Sequence, residues 1–291
     1  MTELNVWLQS IGGPALNQLF LLLTNLAHPL TISMAAILIY WCFHKEKGVS
    51  AALAVTTSVG LNTVLKLLLH IPRPYTYDLR IRPLDTLTAP GSSFPSNHAQ
   101  SIAAFLASIS LSFRHAAIIS ISAVICLVVA LSRLYLGVHT IVDVTAGLAL
   151  GILWACVIFF ISQKIIKTNK PLLLVFPAVL LLLLIFFRHD DLCKMAGICL
   201  GFVAGYLLDE RYIRFSPSPY IRVKLADAVL GLTAVGAVKL FTMLVFPNTI
   251  LFALLEYCLT GFVVSFICPY CFHRINHKLS PRRPNKTARL P

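Results

Sequence analysis

The sequence has little charge. Lys, Arg, Asp and Glu make up 12% of its 291 residues, where soluble domains carry about a quarter. With half the usual polar coverage and 58% hydrophobic residues, the chain falls outside the ordinary soluble class, and lipid is the solvent its composition fits. The first 27 residues hold no Lys or Arg, so the basic n-region of a cleavable signal peptide is missing. The eight cysteines form no regular framework. Most sit in apolar runs and read as small hydrophobes. Cys193 and Cys199 flank a loop and leave a disulfide open there. No repeat of about 20–50 residues is visible, which excludes a solenoid.

What is present is long apolar runs. A hydrocarbon core about 30 Å thick takes about 20 helical residues. Nine runs are near that length: roughly 29–44, 48–69, 97–113, 116–134, 139–162, 171–187, 192–208, 224–246 and 249–270. They predict an all-α, polytopic membrane helical bundle with about nine transmembrane helices. Leu16 to Leu26 is apolar but too short to cross, so it lies in the interface or lengthens the first span.

The net charge of +13 would suggest nucleic acid in a soluble protein. Here the cations sit in short loops and in the tail, so no nucleic-acid partner is expected. If the loop after the first run is inside, sixteen Lys and Arg fall inside and seven outside, with Lys239 in mid-span. That asymmetry predicts a multi-pass protein with its N-terminus out and its C-terminus cytoplasmic.

Three polar clusters interrupt the pattern, each at an outward end of a run, where charge is costly and usually functional. Lys66 and Arg73 are seven apart, about two turns, which puts both on one face of the second helix, ahead of Pro74. They suit an anion, or snorkel to headgroups. Pro95-Ser96-Asn97-His98 opens the third run. Ser96 is a good N-cap, and a helix N-terminus cradles phosphate; a plain capped helix with an interfacial histidine fits equally. Arg133, His139 and Asp143 form the third cluster. His139 and Asp143, four apart on the fifth helix, stack, so the carboxylate would fix the imidazole tautomer and free the other nitrogen for attack. A structural pair or a metal site uses the same residues.

Together the motifs read Lys-x6-Arg-Pro, Pro-Ser-x-His and Ser-Arg-x5-His-x3-Asp, in that order. The set resembles the tripartite signature of the type-2 phosphatidic acid phosphatase superfamily. The resemblance covers about 29–187, the family's six-helix core. It leaves 1–28 as an interfacial segment, 188–272 as three added transmembrane helices and 273–291 as a basic cytoplasmic tail. It implies a lipid phosphate phosphatase in which His139 forms a phosphohistidine and Asp143 orients it. His98 would protonate the leaving oxygen and then help activate water. Lys66, Arg73, Ser96, Asn97 and Arg133 would hold the phosphoryl oxygens, with no metal or other cofactor. The implied partners are the bilayer and a membrane lipid phosphate, with the site on the non-cytoplasmic face. A lipid-linked phosphotransferase, or a lipid-binding or transport protein with a relic site, carries similar motifs, although no catalytic residue is missing here.

One position departs from the family. Asn97 stands where Gly is usual between Ser and His. If that position needed φ > 0, Asn would be the cheapest replacement. A non-Gly residue there and three extra spans are similar to sphingosine-1-phosphate phosphatases, which makes a sphingoid-base phosphate a leading substrate beside a polyprenyl diphosphate. The loop 75–95 is expected to form the pocket rim. Cys268, Cys271, His273 and His277 have zinc-like spacing but begin inside the last run, where packing accounts for them. Lys239 and Glu256 lie at similar depth in adjacent antiparallel runs and are predicted to pair.

Overall fold

The computed structural model describes residues 2–247 and 249–279, the side chains of 276–279 excepted. Among the described residues there are helices and no strands. They are α1 (Glu3–Ser10), α2 (Pro14–Thr24), a 3₁₀ turn (Asn25–Ala27), α3 (Pro29–Cys42), α4 (Lys45–Leu69), α5 (Pro74–Tyr77), α6 (Asn97–Phe113), α7 (Ala116–Tyr135) and α8 (Ile141–Thr168). A 3₁₀ turn (Lys170–Leu174), α9 (Val175–Phe187), α10 (Asp190–Tyr212), α11 (Ile221–Val245) and α12 (Ile250–Phe262) follow. The last helix continues through a π segment (Val263–Ile267) into α13 (Cys268–Leu279).

Each of the nine apolar runs is a helix. Seven helical stretches are long and apolar enough to cross a membrane, and the pair α2–α3, bent by 44°, raises this to eight as one broken span. The stretch Leu16 to Leu26 falls in α2 and the 3₁₀ turn that follows it, and Pro29 opens α3 at the bend. At 17 residues, α6 is about 25 Å long and falls short of a full crossing by itself. It is nevertheless the middle of the bundle, packed against α4, α7 and α8.

Two close contacts set the frame. Gly151 of α8 rests on α6, where a Cβ would come within 2.4 Å of the Gln100 carbonyl. Gly201 of α10 rests on α12, where a Cβ would come within 1.8 Å of the Cys258 carbonyl. In lipid, helices associate through backbone approach at small residues rather than through expulsion of water. A polar seam adds to this. The Asn62 amide donates to Gln100 Oε1 at 2.8 Å, and the Gln100 amide donates to the Ser58 carbonyl at 3.0 Å, tying α4 to α6.

At the far end of α4, Lys45 is bonded to both Asp209 and Glu210 of α10, and Lys170 to Glu210. This cluster joins the first half of the chain to the second. Lys239 of α11 pairs with Glu256 of α12, as their depth predicts. Cys193 and Cys199 are free thiols. Cys268 is buried, while Cys271 and His273 are exposed along α13; the side chain of His277 lies outside the described residues.

Candidate functional site

The three polar clusters meet at one end of the bundle, where α4 ends and α6 and α8 begin. α4 stops at Leu69, with His70 in the left-handed conformation at its C-cap (φ 48°) and exposed. Arg73 therefore does not sit on a face of the second helix beside Lys66, as its spacing predicts. It caps the short α5 instead. The two cations still converge, because the loop folds back to both: Lys66 donates to the Ser92 and Ser93 carbonyls, and Arg73 to those of Pro90, Gly91 and Ser92. Arg73 also donates to the Val138 carbonyl at 2.9 Å, and its Nη1 lies 3.4 Å from His139 Nε2. The loop expected as a rim thus closes over the cationic motif.

Ser96 is the N-cap of α6, but its hydroxyl makes no capping bond. Its backbone N–H donates to the Asp143 carbonyl at 3.1 Å, which welds the start of α6 to that of α8. Asn97 opens α6 and is not among the residues with positive φ. The position makes no demand for a left-handed backbone, and Asn97 Oδ1 accepts from Ser101 Oγ at 3.1 Å. Buried His98, one residue on, lies within electrostatic reach of Arg133, His139 and Arg73.

His139 and Asp143 do not stack on a helix. α8 begins at Ile141, so His139 precedes the N-cap Thr140. Asp143 completes a capping box: its Oδ2 accepts from the Thr140 N–H at 2.6 Å, and the Thr140 hydroxyl accepts from the Asp143 N–H. The pair forms nonetheless, with His139 Nδ1 3.7 Å from Asp143 Oδ2. Nδ1 facing the carboxylate leaves Nε2 as the nitrogen turned toward the cations. Burial holds His139 well below the usual histidine range. Arg133, Arg73 and Lys66 push the same way, against the upward pull of Asp143. The imidazole is therefore neutral, with a free lone pair, at neutral pH.

Arg133 is fully buried. Its Nη1 donates to Asp85 Oδ2 at 2.7 Å, to Thr24 Oγ1 at 2.9 Å and to Thr88 Oγ1 at 3.2 Å. Burial alone would raise the Asp85 carboxyl. Hydrogen bonds from Thr88 and Arg133 outweigh it and hold Asp85 below the usual carboxylate range. Arg133 Nε and Nη2 and Ser96 Oγ are buried without a hydrogen-bond partner among the described residues. Donors left unpartnered in an interior are costly, and an acceptor-rich ligand would satisfy these.

Several residues of this site escape a motif reading. Ser93 donates to Asp143 Oδ2 at 2.7 Å and lies 3.4 Å from His139 Nδ1. Asn5 of α1 donates to the Leu134 and His139 carbonyls, both at 2.8 Å, and so fixes the turn that carries His139. Asp85 left one signal, since it is the only acidic residue between Asp78 and Asp143. Ser93 and Asn5 left none, because their partners are 50 and 134 positions away.

Two family profiles match the chain. That of the PAP2 superfamily covers residues 47–167, and that of the PAP2 superfamily phosphatase transmembrane extension covers residues 193–282. No curated protein matches. Among solved structures, the chain is similar to the crystal structure of a transmembrane PAP2-type phosphatidylglycerolphosphate phosphatase from Bacillus subtilis. Identity is 25% over 58% of this chain and 85% of that one, with a TM-score of 0.44.

Proposed function

The chain belongs to the PAP2 superfamily, and from that premise we propose that it is an integral membrane lipid phosphate phosphatase working through a phosphohistidine. The carrying observation is the pair of buried, unpartnered donors on Arg133, within electrostatic reach of a neutral His139, with the unpartnered Ser96 hydroxyl at the N-cap of α6. A phosphoryl group has the charge and the acceptor oxygens to satisfy them.

In this reading His139 Nε2 attacks phosphorus as the P–O bond to the lipid breaks. His98 gives its proton to the leaving lipid oxygen. Asp143, braced by Ser93 and the Thr140 N–H, offsets the charge that develops on His139. Water then attacks the phosphohistidine, with His98 taking up its proton, and inorganic phosphate leaves. Lys66, Arg73, Arg133, Ser96 and the N–H groups of Asn97 and His98 hold the phosphoryl oxygens through both steps. This division of labour assigns no role to a metal.

The leading substrates are a sphingoid-base phosphate and a polyprenyl diphosphate. The side carrying fewer loop cations, which includes the site, is read as non-cytoplasmic. Purified protein assayed against polyprenyl diphosphate, phosphatidate, phosphatidylglycerophosphate and sphingoid-base phosphate tests the proposal, with His139→Ala as control. Release of phosphate by the wild type alone is expected. Equal, slow release by both proteins refutes it.

A further inference from the structure

Below the phosphate site, a narrow slot opens between α3, α4, α10 and α12. Its walls include Ile32, Ala36, Ala52, Thr56, Ile198 and Phe202, and the lining is almost wholly apolar. We propose that this slot receives one apolar tail of the lipid phosphate whose head is held at Lys66, Arg73 and Arg133. The inference rests on the phosphatase reading and names the part of the substrate which that reading leaves unassigned.

Position argues for a tail rather than a separate small molecule. Thr56, Val59, Thr63 and Lys66 follow one another by three or four residues, so a single stripe of α4 runs from the slot to the phosphate site. Ten residues at about 1.5 Å each put the slot about 15 Å below Lys66, which is half of a hydrocarbon core about 30 Å thick. A lipid with its phosphate at Lys66 carries its tail through that depth. α10 supplies the matching stripe, Phe202, Ile198, Met195 and Asp191, and Asp191 lies within electrostatic reach of Lys66. Both stripes lead from the slot to the phosphate. α10 and α12 belong to the segment matched by the transmembrane extension, so the added helices would read the tail while the motifs read the head.

The test compares wild type with Ala52→Phe and with Ser33→Phe, which fill the slot from α4 and α3. Each is assayed in detergent on a long-chain lipid phosphate and on a short-chain alkyl phosphate that cannot reach the slot. Each methylene kept from burial costs roughly four-fold in affinity. Both variants should therefore lose ten-fold or more in kcat/KM on the long-chain substrate, through KM, and keep wild-type turnover of the short one. An unchanged ratio of the two activities in either variant that retains short-chain turnover overturns the inference. If both variants lose short-chain turnover, mid-chain photolabelling of wild type decides: label on α10 around Ile198 supports the slot, and its absence there overturns it. Failure of the wild type to cleave any of these phosphates would instead overturn the phosphatase reading.

Discussion

Asp85 offers the sharpest test of how the site is held. Arg133 is fully buried, and the Asp85 carboxylate is its one anionic partner among the described residues, at 2.7 Å. Removing one side of a buried pair strands the other charge, at a cost of roughly 3–5 kcal/mol. Asp85→Ala should therefore lower the thermal midpoint of the detergent-solubilised protein sharply. Asp85→Asn keeps an acceptor and should cost less, about 1–3 kcal/mol. The variants should also respond differently to anions. A bound tetrahedral anion returns negative charge to Arg133, so orthovanadate should raise the midpoint of Asp85→Ala more than that of the wild type. Turnover should fall as well, by about 100-fold for a guanidinium displaced by 1 Å. The pair should resist acid. Asp85 is held low in the folded state, so its contribution is complete above the unfolded value of about 3.9. It is lost only as pH falls through the lower folded value. An Asp85→Ala protein that melts with the wild type, and that vanadate shifts no further, would show that Arg133 does not depend on Asp85.

Three other perturbations probe separate parts of the argument. Arg133→Lys keeps the charge but replaces a planar fork with a point charge, removing the Nε and Nη2 donors. It should lower kcat by about 100-fold or more, and wild-type kcat would rule out those donors as phosphate ligands. Gly151→Leu drives a side chain into the Gln100 carbonyl. Overpacking of about 1–3 kcal/mol should separate α6 from α8 and lower both the melting point and kcat; a change in melting point alone would detach this contact from catalysis. Lys239→Leu leaves Glu256 unpaired at the face of α12 and should reduce the folded yield in membranes. Adding Glu256→Leu should restore most of that yield, while an equally poor double variant would assign the pair a role beyond charge balance.

Much of this molecule follows from local sequence. The low charge and the spacing of the apolar runs dictate membrane helices, because backbone polar groups in hydrocarbon must be satisfied within the segment. The motifs were legible for the same reason: polar residues such as Lys66, His98 and Asp143 stand out against apolar neighbours. Helix spacing misled only where the helix had already ended. Arg73 lies beyond the C-cap His70 and His139 before the N-cap Thr140, so neither obeys the 3.6-residue period assumed for it.

What tertiary structure alone decided is how those residues are held. Ser93 reaches Asp143, Asp85 neutralises Arg133, and Asn5 pins the turn at His139. Each is a long-range contact between ordinary polar residues, and no local pattern encodes such a partner. Sequence determined that this chain suits a membrane and sets cationic, histidine and carboxylate side chains near the ends of three helices. The close approach of α6 to α8, permitted by a glycine, and the fold-back of the loop 78–95 decided that those ends form one site, because only packing converts distant positions into a common distance.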